Sequence, residues 1–590
     1  MPETVVEVFE RTVREWGTYP AYHDRQGGAW RSTSWREYGE LAHRVARGFI
    51  ALGLESGKGV AIIGSNRPGW LLADVGAILA GGVPAGIYTT SSAEQCKYIA
   101  GHCDAQIVVV EDADQLAKLK KVRGELPELC AIVMMEGRDP DEGVLSWDEL
   151  LAAADRVSPD ELERRAAAQK PEDVATLIYT SGTTGPPKAV MVTHHNITWT
   201  ARTSVEHVGE VVAGDALVSY LPLSHIAEQM LTIHLPMVCG CCVYFERVLD
   251  NLGETLREAR PSIFLGVPRV WEKIQAKIMA AGAQNSGLKK RIAAWARGVG
   301  LAGGLAEQRG ARRPLLYGLA DRLVFSKVRA TLGLDRCKVA LSSTAPISRS
   351  TLEFFLSLGV VICEIYGMSE CTAPATLCTP RRYRTGKAGY AIPGTEIRIA
   401  GDGEICIRGP HVFKGYFKDE AATAECLDAD GWLLSGDIGT LDDEGFLQVT
   451  DRKKELIITA GGKNVAPAVI EGLIKTVPVI AQAVVIGDQR KFLSALITLD
   501  PERVVAEARA AGIADVTDVA SAARSTPFNA HVLKQVVQAC SVLSRVETVR
   551  KITILPIELT EQGGELTPTL KVKRRVVHEK YAAQIEAMYA

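Results

Sequence analysis

The 590-residue chain has no apolar run long enough to cross a bilayer. The one around 75–86 falls well short of the roughly 18 to 20 residues a spanning helix needs. Its beginning, "MPETVVEVFERTVREW", is acidic early and lacks the apolar stretch and small-residue cleavage site of a secretory signal. A strong charge bias is missing too. At a net charge of −3, bulk electrostatics offers nothing to nucleic acid or any other polyanion. Neither an internal repeat nor a low-complexity tract is visible. Thirteen cysteines, an odd number in a long chain without a signal, read better as reduced thiols than as a disulfide framework. "CGCC" does set Cys239 and Cys242 at C-x-x-C spacing, but no second ligand pair lies near them, so they read as small buried hydrophobes. What remains is a cytoplasmic protein of ordinary composition, 47% apolar and 23% charged, and too long for a single core.

Period and turn chemistry divide it. Leu41, Val45, Phe49 and Leu52 are at helical spacing, and the short apolar runs at 59–64, 83–88 and 105–110 alternate with helical segments. Strand, helix and strand joined by short polar turns predict an α/β fold with a mainly parallel, helix-flanked sheet. Similar units are expected at 237–244, 263–267 and 360–365. From about residue 385 to 450 short strands and Gly-Asp and Asp-Glu-Gly turns predict a β-rich subdomain of hairpins. Beyond about 452 the texture becomes a small α+β unit, closed by helices near 530–546 and 573–587. The expected domains are therefore 1–452 and 453–590. The segment 286–330 stands apart, with ten Lys or Arg against Glu307 and Asp321. Its "GLKKRIAAWARGVG" is a basic amphipathic helix, either a solvated face or a peripheral contact with anionic lipid.

The stretch "YTSGTTGPPKAVMVTHHN" crowds Ser, Thr and Gly before one Lys. Glycines let backbone N–H groups approach a phosphate, hydroxyls donate further bonds and Lys188 adds charge. The spacing is not that of a Walker loop. Counting from Gly182, the sixth position is Pro187, and Lys188 is followed by Ala189.

This loop resembles the phosphate loop of the adenylate-forming enzymes: acyl-CoA synthetases, peptide-synthetase adenylation domains and luciferases. "LPLSHIAEQ", "STAPIS", "YGMSE", "DGWLLSGDIGTLDDEGFLQVTDRKKELI" and "LTPTLKVKR" follow in that family's order and cover most of the chain. "GVPRVWEKI" is similar to long-chain fatty acyl-CoA synthetases. "NITWTAR", "IGDQRKFLSALITL" and "GGELTPTLKVKR" resemble the bubblegum-type branch.

The resemblance implies a large domain with a β-rich subdomain and a small mobile C-terminal domain. It also implies ATP-dependent conversion of a long-chain fatty acid to acyl-AMP, then transfer to CoA. Thr180, Ser181, Gly182, Thr183, Thr184 and Lys188 would grip the departing phosphates. Glu370 would hold Mg²⁺ and Ser369 the α-phosphate. Tyr366 and Ala345 would flank adenine, Asp437 would take the ribose hydroxyls and Arg452 would help at ribose or phosphate. His225 would guard thiol access. Lys571 would bridge the substrate carboxylate and the α-phosphate, where charge builds in the transition state. Rotation about Lys454 would then withdraw Lys571 and bring Gly461 and Gly462 to the pantetheine channel.

Two positions depart from the family pattern: Ala189 where Gly is usual after the Lys, and Lys463 where the branch commonly has Glu. The methyl of Ala189 would matter only at a positive φ. The competing readings are a fatty acyl-AMP ligase that loads a carrier protein and a non-catalytic lipid-binding scaffold. No carrier-domain motif follows Lys571. Acyl length and oligomeric state are not encoded in any motif.

Overall fold

The computed structural model describes residues 2–180, 186–460, 463–544, 547–567 and 571–590. An eight-stranded sheet dominates the first part. Strands Val83–Ile87, Gly59–Ile63, Ala105–Val110, Ala131–Met134 and Val144–Ser146 run parallel in that spatial order. The first three are buried along their whole length, as strands covered on both faces must be. On the other side Val174–Thr180 joins in parallel, and Lys188–Thr193 and Gly415–Tyr416 close the edge antiparallel.

Helix packing follows from small residues and caps. Helix Trp35–Ala51 starts at Ser34, whose side chain and Glu37 form a capping box, worth about 1 kcal/mol. It lies close to Pro68–Leu79 because Gly76 has no side chain: a Cβ there would come within 2.6 Å of Val45.

A second sheet places Ile263–Leu265, Val339–Ser342 and Ile362–Met368 in parallel, followed antiparallel by Ala373–Leu377 and Tyr390–Ala391. A four-stranded sheet brings Ala216–Ser219 and Cys242–Phe245 beside Pro20–Gln26 and Ala29–Ser34. Four antiparallel strands between Glu396 and Arg452 make up the hairpin region. After that, Ile480–Ile486, Leu493–Leu499 and Val549–Ile554 form a separate three-stranded sheet. The apolar clusters do not mix. Those of the first part extend no further than Val449, and those of the last part begin at Ile457.

Three expectations need correction. The 237–244 unit begins inside a helix, Leu235–Cys239. Gly240, at φ 66°, ends that helix before strand Cys242–Phe245. The helix expected near 530–546 is Thr526–Ala539, and that near 573–587 is two helices, Arg574–Lys580 and Ala582–Tyr589. Among the cysteines, Cys239 approaches Cys241 rather than Cys242, at 3.1 Å between sulfurs. All three are buried, and no described residues form a cluster of three or more metal-binding groups.

Candidate active site

Strands Val339–Ser342 and Ile362–Met368 pair in parallel, with Ser342 opposite Glu364. Their carboxyl ends therefore open side by side, the usual place for a ligand crevice in such sheets. The loop after the first carries Ala345, which is exposed, next to Thr344. Thr344 adopts φ 73° and its buried hydroxyl has no hydrogen-bond partner, a strained non-glycine position beside the crevice. The turn after the second strand, Ser369–Cys371, carries Ser369, which is buried, and Glu370.

Tyr366 lies three residues before Ser369, within the strand Ile362–Met368. Its ring belongs to the main core, and its hydroxyl donates to Asp437 Oδ2 at 2.9 Å, a contact the sequence motifs do not signal. Asp437 faces Arg452 across adjacent strands, with Oδ1 3.5 Å from the Arg452 Nε. Burial raises the Asp437 pKa, and the Arg452 charge, the Tyr366 hydroxyl and Lys571 oppose that rise.

The Ser/Thr/Gly-rich stretch links the arms of a hairpin, Val174–Thr180 and Lys188–Thr193, with Thr180 paired to Lys188. Ser181, Gly182, Thr183 and Thr184 lie outside the described residues. The Lys188 ammonium sits 4.8 Å from the ring centre of Tyr416, whose hydroxyl donates to Glu370 Oε1 at 2.8 Å. Burial and the Glu370 carboxylate hold the Tyr416 phenol protonated. Tyr416 thus ties the loop lysine to the expected metal carboxylate. Sequence reasoning missed it because Tyr416 is one of fifteen tyrosines and nothing local marks it. Ala189 is buried within the strand and is not among the positive-φ residues, so its methyl is accommodated.

Lys571 comes from the small domain. A turn holds it: the Thr567 N–H donates to its carbonyl at 2.8 Å, and its own N–H donates to Thr567 Oγ1 at 3.0 Å. Burial, and then the Arg452 charge, push the Lys571 ammonium down to about 8, against the pull of Asp437, Glu455 and Glu370. Residues 200 positions apart are thereby within electrostatic reach of one amine. His225 is near as well. It caps helix Ile226–Gln229, its Nδ1 accepting from the Ala227 N–H at 3.2 Å, so the ring is neutral with its proton assigned to Nε2. Burial and the Lys571 charge push it down to about 4.

The two domains also touch away from the crevice. Thr90 donates to Glu561 at 2.6 Å, and Arg269 lies 3.8 Å from Glu558. Between them, Lys453 is paired with Asp402 at 2.6 Å and Glu404 at 2.8 Å, while Glu455 is paired with Arg574 at 3.2 Å. Exposed Lys454 stands between one residue tied to the large domain and one tied to the small domain. Gly461 and Gly462 lie outside the described residues. Lys463 is exposed and bonded to Thr459.

Residues 9–417 match the AMP-binding enzyme family, and residues 454–590 match the AMP-binding enzyme C-terminal domain. The chain belongs to the AMP-binding enzymes. It is 43% identical to the long-chain-fatty-acid–CoA ligase ACSBG2 of Xenopus laevis over 621 aligned residues, which cover 100% of this chain and 84% of that protein. The Homo sapiens protein of the same name is 38% identical, with 100% and 92% covered. Solved structures share the fold. The anthranilate CoA ligase AuaEII in complex with anthranoyl-AMP superposes with a TM-score of 0.76 at 19% identity, covering 99% of this chain and 98% of that one. The adenylation domain of a Mycobacterium chelonae carboxylate reductase gives 0.78 at 20% identity, covering 100% and 91%.

Proposed function

We propose that this AMP-binding enzyme is a long-chain fatty acid–CoA ligase. It activates the acid as acyl-AMP with release of pyrophosphate, then passes the acyl group to CoA with release of AMP. The observation that carries the reading is Asp437 held between the Tyr366 hydroxyl and Arg452, within electrostatic reach of Lys571 from the small domain. A carboxylate attacking a triphosphate meets strong repulsion, and a site that stabilises that attack needs convergent cations and fixed donors. Lys571 and Lys188 supply the cations, Lys188 over the Tyr416 that bonds Glu370 and Lys571 within electrostatic reach of Glu370. Asp437, braced by Tyr366 and Arg452, offers an acceptor for a diol such as ribose. Glu370, whose Oε1 accepts from Tyr416, keeps further lone pairs for a hard cation. Mg²⁺ bound there would screen phosphate charge.

The long-chain preference is supported by relatives named for that substrate at 38–43% identity over the whole of this chain. His225, neutral and next to Lys571, suits a gate on the thiol side because it adds no charge that would hold an incoming thiolate away from the acyl carbonyl. Thirteen free thiols suit a reducing cytoplasm.

The test is acyl-CoA formation from ATP, CoA and fatty acids from medium to very long chain. We expect thioester from the long chains. Activity confined to short or aromatic acids would overturn the substrate, and acyl-AMP that accumulates without reacting with CoA would favour the carrier-loading alternative. Absence of ATP–pyrophosphate exchange with every fatty acid tried would favour the scaffold.

A further inference from the structure

One helix braces both ends of the Ser/Thr/Gly-rich stretch. Helix Ala93–His102 starts at Ser92, whose side chain forms a capping box with Gln95, and it buries Cys96, Ile99 and Ala100 against strands of the eight-stranded sheet. Its last turn reaches the hairpin. The Tyr98 hydroxyl donates to the Pro187 carbonyl at 3.1 Å, and the Tyr179 hydroxyl pairs with His102 Nδ1 at 2.9 Å. Tyr179 comes just before Thr180, and Pro187 just before Lys188. The two contacts therefore hold opposite arms of the hairpin from one side of one helix.

The brace is itself stiff. Tyr98 and His102 are four residues apart on one helix face, and their rings stack with centres 5.4 Å apart at 24°. The Phe417 ring meets His102 edge-on with centres 5.7 Å apart, and its N–H donates to the Ala189 carbonyl at 2.8 Å. The strand that carries Tyr416 is thus tied to the same helix. A peptide group is planar and the proline ring fixes φ, so a held Pro187 carbonyl fixes the plane that ends at the Lys188 Cα.

We propose that Tyr98, backed by His102 and Tyr179, is a positioning residue for a nucleoside triphosphate. Acting through the Pro187 carbonyl, it sets where Lys188 meets the β- and γ-phosphates, and hence the affinity for the pyrophosphate that leaves. Coulomb attraction falls with distance, and a lysine on a loose backbone spreads its charge over many positions. Tyr416 holds the ammonium end of Lys188 and Tyr98 the backbone end, so the cation is fixed at both. AMP lacks the phosphates concerned and should be indifferent to the brace. The identity of the nucleotide rests on the ligase reading.

The experiment is calorimetric titration of pyrophosphate and of AMP, each with Mg²⁺, into the wild type and Tyr98→Phe. The variant keeps the ring on His102 and removes only the hydroxyl. We expect it to bind pyrophosphate about fivefold more weakly and AMP equally well, with an unchanged melting temperature. The exchange KM for ATP should rise by the same factor while the KM for fatty acid stays put. On a Lys188→Ala background Tyr98→Phe should have no further effect, because the two then share one interaction. Unchanged pyrophosphate affinity, equal loss of pyrophosphate and AMP, or an effect that persists in full without Lys188 would each overturn the proposal, as would a wild type that does not bind pyrophosphate. A wild type that binds both ligands but makes no acyl-CoA would count against the ligase reading, and a selective loss of pyrophosphate in Tyr98→Phe would still support the brace.

Discussion

Lys188 and Lys571 reach the surroundings of Glu370 by different routes. Lys188 begins a strand of the eight-stranded sheet, its backbone held by pairing with Thr180 and its ammonium resting over Tyr416. Lys571 rides on a short turn of the small domain, held locally by Thr567, and finds its charged neighbours only because that domain is docked. The first cation is placed by the sheet and the second by a contact between domains. A cation fixed in the sheet can bind one substrate through a whole reaction. A cation on a separate domain can act in one step and leave before the next, which a two-step reaction through acyl-AMP requires.

The sharpest way to break this contrast is Lys571→Ala. We expect acyl-AMP formation, read by ATP–pyrophosphate exchange, to fall about a thousandfold. Thioester formation from synthetic acyl-AMP should stay mostly intact, and equal loss of both steps would refute the division of labour. Lys454→Pro should do the reverse. A fixed φ between Lys453, anchored on Asp402 and Glu404, and Glu455, anchored on Arg574, would restrict rotation. Thioester formation should drop about a hundredfold while exchange persists. Normal steady-state turnover in this variant would show that the hinge lies elsewhere.

Why one lysine was easier to read than the other follows from how each is held. Lys188 is announced by its neighbours, because a Ser/Thr/Gly loop leading to a strand is a local pattern. Lys571 stands among Lys573, Arg574 and Arg575, and by itself reads as a solvated basic helix start. The motif order of the resemblance raised it above that, and the structure adds the company it keeps. The parallel sheet was legible because fully buried strands leave unbroken apolar runs. The 237–244 region misled because the Cys-rich run is apolar through both a helix end and a strand, and periodicity cannot separate short apolar pieces. Tyr416 and the Tyr366–Asp437 bond were invisible because they depend on pairing between distant strands.

Tyr416→Phe is the milder test of the fixed side. It leaves the ring under Lys188 and removes only the hydroxyl on Glu370. Losing a hydrogen bond to a charged group should cost exchange about tenfold, with little effect on the thioester step. Tyr416→Ala, which removes the ring as well, should be clearly worse, and equal effects would mean that the stacking contributes nothing.

The smallest and most diagnostic effect is in pH. If the Lys571 ammonium is what acts, exchange kcat/KM should decline as pH rises through about 8, the value to which burial and Arg452 push it. Thioester formation from synthetic acyl-AMP should not share that decline, since a thiol ionises near about 8.5 and gains nucleophile over the same range. Unfolding would be the trivial explanation, and linkage argues against it for this group. Its folded value lies below the ordinary 10.5, so between the two the unfolded chain binds the proton more tightly. The contribution of Lys571 to stability therefore rises with pH across that window. Activity falling while the melting temperature holds or climbs would assign the loss to the amine itself. A parallel fall in both would place the titration somewhere other than Lys571.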